Sequence, residues 1–170
     1  TILIEGAMMA HNVAPGVNRN FSAERWEVIP SSVWAEERNR ARELANVDSD
    51  FIAYGSDMDE SAIELAKQNA KRAGVERKIK FEKCDLRDFT PKSEKGTVIC
   101  NPPYGERLLD IETAQKLYKV MGEKFIRQRG WAYYIISPSE EFEKEFGRKA
   151  DKRRKLYNGM IKCQLFMYFK

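Results

Sequence analysis

Between residues 51 and 137 short apolar runs alternate with helical repeats, and this alternation limits the possible folds more than any other feature of the chain. Phe51-Ile52-Ala53-Tyr54-Gly55 reads as a strand. Ile63, Ala66, Ala70 and Ala73 then share one face of a helix over 60–73, with Gly74 placed where a helix C-terminus favours glycine. Ile79 and Phe81 alternate along a strand over 79–84. Thr97-Val98-Ile99-Cys100 is continuously apolar, the pattern of a strand covered on both faces of a parallel sheet. A helix over 113–127, a strand over 131–137 and a short amphipathic helix with Phe142 and Phe146 follow. Parallel strands need long crossovers, which the helices supply, so the spacing predicts an α/β protein with a mostly parallel sheet. At the end, 153–157 and 160–169 flank Asn158-Gly159, a dipeptide that favours type I′ turns, so an antiparallel hairpin should close that sheet.

Ahead of the alternation, Ile2, Leu3, Ala7, Met8 and Ala10 predict a helix to about residue 12, stopped by Ala14-Pro15-Gly16. A second helix over 32–45 puts Val33, Trp34, Ala41 and Leu44 near one face. Thr1 opens this first helix with no initiator Met, so the chain is expected to be a piece of a longer polypeptide. Its 170 residues suit one domain over 1–170. The three cysteines, Cys84, Cys100 and Cys163, lack CxxC spacing, which argues against a disulfide framework or a zinc site and for reduced thiols. No apolar run is long enough to span a bilayer and no secretory leader opens the chain, so a soluble cytoplasmic protein is expected. The net charge of +4 permits a polyanionic partner.

In an open parallel sheet, ligands bind outside the carboxyl ends of the strands. Three such ends carry signals. In "YGSDMDESAIELAKQNAKRAG", an acidic residue closing a strand can accept hydrogen bonds from both hydroxyls of a ribose. Asp59 precedes the helix directly and is the better N-cap, leaving Asp57 for the ribose, although both could merely turn the chain. In "FEKCDLRDF", Asp85 could accept from the amine of an adenine whose faces meet Met58 and Leu86, though Asp after a strand is also an ordinary turn residue.

The third end, "VICNPPYGERLLD", is the most specific. Pro102 and Pro103 lack N–H groups and push the preceding residues towards extended geometry, so Asn101-Pro102-Pro103 makes a stiff ledge past a buried strand. The Asn101 side-chain oxygen and the Pro102 carbonyl can both accept from one planar NH₂ group. A conjugated amine is a poor nucleophile, and two acceptors can hold it as its nitrogen becomes tetrahedral and aims a lone pair at an electrophile. Tyr104 would stack on the planar group.

Together these stretches resemble the Rossmann-like, S-adenosylmethionine-dependent amino-methyltransferases with an Asn-Pro-Pro-Tyr/Phe motif. More narrowly, "TILIEGAMMAHNVAPGVNR", "YGSDMDESAIELAKQNAKRAGV", "NPPYGERL" and "KADKRRKLYNGMIKCQL" resemble the catalytic domain of THUMP-containing RNA guanine-N2-methyltransferases of the 23S ribosomal RNA type. The resemblance implies a Rossmann-like methyltransferase fold whose first strand and Gly-rich loop lie outside this chain. It implies S-adenosylmethionine as methyl donor, with Asp57 on its ribose, Met58 and Leu86 flanking its adenine, and Asp85 on the adenine amine. Asn101, Pro102, Pro103 and Tyr104 would form the catalytic ledge, Asn101 also meeting the donor. Ribosomal RNA would be the partner and no metal would be needed. Arg107 is expected at the pocket rim, against a phosphate or base.

The same ledge suits other amines: N6 of adenine in DNA or RNA, or a protein glutamine amide. A non-catalytic RNA-binding fragment is a further alternative. Arg148, Lys149, Lys152, Arg153, Arg154 and Lys155 form a basic run that either meets phosphates or is simply solvated. His11 suits a surface or helix-end role better than catalysis, and Trp26, Trp34 and Trp131 are expected in core or interface packing.

Overall fold

The computed structural model describes residues 1–46, 49–104, 111–125 and 129–169. The chain divides into two compact units, Thr1–Cys84 and Asp85–Lys170.

The first unit holds α1 (Ile2–Ala10), a 3₁₀ turn at Ser22–Arg25, α2 (Ser31–Glu43), β1 (Ala53–Asp57), α3 (Glu60–Arg72) and β2 (Ile79–Lys83). β1 and β2 pair in parallel from Ala53↔Ile79 to Asp57↔Lys83, and α3 is the crossover between them. Asp59 caps the start of α3 by accepting from the Ser61 N–H. At the other end Gly74 takes φ +73°, and the N–H groups of Gly74 and Val75 return to the Lys71 and Ala70 carbonyls. That is the Schellman arrangement, in which a left-handed glycine satisfies orphan helix carbonyls. Ile4, Ala7, Ala53, Ala70, Val75 and Ile79 form the core beneath.

Two expectations shift here. β1 runs two residues later than apolarity suggests, because the parallel ladder with β2 continues through Ser56 and Asp57 while Phe51 and Ile52 stay outside it, exposed. On α2 the apolar face is hardly buried: Val33 and Leu44 are exposed, while Trp34 stacks on Phe21 at 6.1 Å. Trp26, which follows the 3₁₀ turn, lies outside the core and is 60% exposed, with its carbonyl accepting from the Ile29 N–H.

The second unit holds a 3₁₀ turn at Leu86–Asp88, β3 (Gly96–Cys100), α4 (Ile111–Lys124), β4 (Trp131–Ser137), α5 (Phe142–Phe146), β5 (Lys152–Asn158) and β6 (Ile161–Tyr168). Its sheet has the order β3-β4-β6-β5. β3 and β4 are parallel, and β6 returns antiparallel between β4 and β5. The α/β class and the closing hairpin are as the sequence predicts. The central strand β4 buries Trp131, Tyr133, Ile135 and Ser137 on one face. An aromatic core fills that side: Phe142 lies 4.5 Å from Phe166 and 4.9 Å from Tyr118, and Phe146 lies 4.7 Å from Tyr168. Such ring pairs add directional attraction to the area they bury. Gly122 lets α4 and α5 close on each other, because a Cβ there would collide with the Phe146 carbonyl.

The hairpin turns one residue later than the Asn-Gly dipeptide suggests. Asn158 pairs with Ile161, so the loop is Gly159-Met160. Gly159 has φ +62° and Met160 is not among the residues with positive φ. Positive φ at the first loop position alone marks a type II′ turn, which asks for glycine there. Asn158 is consequently the last residue of β5.

Candidate functional site

In the first unit, Asp57 closes β1 with an exposed side chain, and its Oδ1 accepts from the Asp59 N–H at 2.9 Å. Among the described residues Oδ2 takes no hydrogen bond, so this carboxylate keeps acceptor capacity. Met58 beside it is 69% exposed, an uncovered apolar surface. Asp59 is spoken for: its Oδ1 accepts from both the N–H and the hydroxyl of Ser61, each at 2.8 Å. Those bonds, the hydroxyl's first, hold its carboxyl below the ordinary value. The division between Asp57 and Asp59 thus follows from which of them caps α3.

The second unit opens with Asp85, whose Oδ1 accepts from the Arg87 N–H at 2.8 Å and whose Oδ2 lies 3.3 Å from the Arg87 guanidinium. It therefore serves as the N-cap of the short 3₁₀ turn. Leu86 is half-buried against the aromatic core.

β3 delivers the ledge. Pro102 is buried, Pro103 and Tyr104 are half-buried, and Asn101 is exposed. The order makes physical sense: the apolar ring anchors the chain while the amide before it stands in solvent. The Tyr104 hydroxyl donates to Asn101 Oδ1 at 2.6 Å, and it accepts from Asn158 Nδ2 at 3.2 Å. Burial raises the Tyr104 phenol above its ordinary value, outweighing the opposite effect of the Asn158 hydrogen bond. The hydroxyl is therefore protonated at neutral pH and can donate to Asn101. Burial also pushes the Cys100 thiol up to about 12, so it is not a nucleophile at neutral pH. Arg107 lies outside the described residues.

Geometry divides the basic run. Arg148 lies over the Tyr168 ring at 4.5 Å and Arg153 lies 3.7 Å from the Glu143 carboxylate, so both have structural work. Lys152 and Arg154 are exposed on edge strand β5 and make no ion pair among the described residues. His11 is buried at the end of α1, with Nδ1 2.9 Å from the Asn46 carbonyl, which is a helix-end role. A cleft lined by Glu24, Trp34, Arg38 and Arg42 opens on the first unit; Glu24 and Arg38 pair with each other, and Arg42 donates to Asn39 Oδ1 at 3.3 Å. Among the described residues no group of His, Cys, Asp and Glu could hold a metal ion, and no helix is long and apolar enough to cross a membrane.

Sequence reasoning missed Asn158. Its signal, Asn before Gly, reads as a turn, and only the shifted register puts the side chain on Tyr104.

Over residues 1–166 the chain matches the family described as "RMKL-like, methyltransferase domain". It is 41% identical over 169 residues to the Bacillus subtilis (strain 168) protein named "Putative RNA methyltransferase YpsC", covering 99% of this chain and 44% of the relative. It is 39% identical over 173 residues to "Ribosomal RNA large subunit methyltransferase K/L" of Shewanella baltica (strain OS185), covering 99% and 24% respectively. The chain thus spans less than half the length of these curated relatives. The crystal structure of SMU.472 complexed with SAH superposes with a TM-score of 0.92 at 42% identity, covering 98% of this chain and 44% of that one.

Proposed function

The chain belongs to the RMKL-like methyltransferase domain family, and from that premise we propose that it carries part of the site that methylates the exocyclic N2 amine of a guanine in large-subunit ribosomal RNA. S-adenosylmethionine is the donor in this reading, supplying a methyl group already activated on a sulfonium; SAH bound to a close structural neighbour supports it. The observation that carries the proposal is the ledge: an exposed Asn101 on a buried Pro102, next to a half-buried Tyr104 whose hydroxyl bonds Asn101 Oδ1.

Each residue has a distinct task. Asp57 accepts from the donor's ribose hydroxyls, Met58 and Leu86 cover the faces of its adenine, and Asp85 accepts from the adenine amine. Asn101 Oδ1 and the Pro102 carbonyl hold the guanine amine, drawing its lone pair out of conjugation, while Tyr104 stacks on the extruded base. Pro103 keeps the ledge stiff. The amine's proton leaves to solvent after attack, so no strong general base is required. Exposed Lys152 and Arg154 offer cations to the RNA backbone, and by sequence Arg107 is a further candidate for a phosphate or base contact.

The test offers labelled S-adenosylmethionine with unmodified ribosomal RNA, transfer RNA, duplex DNA and a glutamine-bearing protein factor to the polypeptide that contains this chain. Products are identified by mass spectrometry after digestion. N2-methylguanosine in large-subunit ribosomal RNA is expected. N6-methyladenine or methylglutamine would overturn the substrate, and turnover surviving in Asn101→Ala would overturn the ledge.

A further inference from the structure

We propose that Asn158 is a positioning residue that acts through Tyr104 to hold the Asn101 amide with its oxygen towards the target amine; this rests on the role of Asn101 given above. A directional chain connects them: Asn158 Nδ2 donates to the Tyr104 hydroxyl at 3.2 Å, and that hydroxyl donates to Asn101 Oδ1 at 2.6 Å. A hydroxyl has one proton to give. With an N–H occupying its oxygen, the proton is directed to Asn101.

Direction matters because a side-chain amide has nearly the same shape either way round. Flipped, Asn101 would turn an NH₂ group to the incoming amine, donor against donor. Held as it is, Oδ1 accepts from Tyr104 with one lone pair and keeps the second for the substrate. Among the described residues the titratable side chains that face the Tyr104 hydroxyl are Cys163 of β6, which is within hydrogen-bonding reach of it, and Tyr118 of α4; neither is a carboxylate. Turn register makes the arrangement available. Because the loop is Gly159-Met160, Asn158 is a paired strand residue whose side chain is fixed, not the tip of a turn.

Steady-state kinetics with S-adenosylmethionine and unmodified large-subunit ribosomal RNA test this on variants of the whole polypeptide. Asn158→Asp keeps the shape but only accepts at neutral pH, so the Tyr104 proton turns away from Asn101 and the chain reverses. We expect kcat to fall about 10²-fold with both KM values changed by less than about twofold. Asn158→Ala removes the donor without reversing anything and lowers kcat about tenfold. Tyr104→Phe cuts the chain, so Asn158→Asp adds nothing in that background, and the double variant turns over faster than Asn158→Asp alone. Acidification towards the carboxyl range protonates the introduced side chain and narrows the gap between Asn158→Asp and the parent.

Parent-like kcat in Asn158→Asp, or losses that simply multiply with Tyr104→Phe, overturn the proposal. Should thermal melting show Asn158→Asp unfolded, parent-like kcat in Asn158→Ala does so instead. Asn101→Ala separates the two layers. If it is inactive while Asn158→Asp behaves like the parent, only the positioning role falls; if it turns over, the reading beneath falls as well.

Discussion

Replacing Tyr104 by Phe and by Ala separates the work of its ring from that of its hydroxyl. The hydroxyl spans Asn158 and Asn101, and the ring is half-buried at the end of the ledge. Stacking a base on an aromatic face contributes about 1–3 kcal/mol. At 1.4 kcal/mol per factor of ten, this is about 5- to 150-fold in affinity. Tyr104→Ala should therefore raise KM for ribosomal RNA by that factor and also lower kcat, since Asn101 loses its hydrogen-bond partner. Tyr104→Phe keeps the stacking face, so KM should stay within about threefold, while loss of one neutral hydrogen bond of about 1 kcal/mol lowers kcat about fivefold. Asn101 and Asn158 are exposed, so water satisfies them in the Phe variant and the fold should lose less than about 1 kcal/mol. The Ala variant forfeits partial burial of a ring, about 1–2 kcal/mol, and thermal melting must show it folded at the assay temperature. The assay varies RNA at saturating S-adenosylmethionine. An unchanged KM in Tyr104→Ala would remove stacking from this residue. Equal KM increases in both variants would assign binding to the hydroxyl and refute the division.

Asp57→Ala should weaken S-adenosylmethionine binding by about 1–3 kcal/mol in calorimetry, the cost of a lost charged acceptor; unchanged affinity would move the ribose elsewhere. Lys152→Ala and Arg154→Ala should each reduce the slope of log affinity for RNA against log salt by about 0.7–0.9, and a slope identical to the parent's would leave β5 without phosphate contacts. Burial raises the Cys100 thiol from 9.0 to about 12, so the folded chain holds that proton more tightly than the unfolded one. This group's effect on stability is absent below pH 9 and becomes a loss as pH rises from 9 towards about 12. Urea midpoints measured between pH 7 and 10.5 should fall more steeply for the parent than for Cys100→Ala; parallel curves would show the thiol to be solvated.

Most of the fold was legible because its signals are local. Asp59 and Gly74 bracket α3 by capping chemistry that acts within a turn, and the apolar alternation of β4 and β6 shows in their own residues, whereas β5, Lys-Arg-Arg-Lys-Leu-Tyr-Asn, is marked only by the turn that follows it. The ledge was legible for the same reason: proline's missing N–H and fixed φ act on adjacent residues. What escaped depends on partners distant in the chain. The extent of β1 follows the ladder with β2, and the exposure of Trp26 is not encoded in its apolarity. Asn158 is the sharpest case. Asn-Gly is a strong local signal for a type I′ loop, yet the register with β6 puts Gly159 at the first loop position, where glycine suits a type II′ turn equally well. Moving the loop by one residue changes which residues are strand and which are tip, and strand residues have fixed faces. Gly159 therefore does more than reverse the chain. By accepting positive φ at that position it leaves Asn158 in the ladder, 54 residues along the chain from the tyrosine whose hydroxyl it binds.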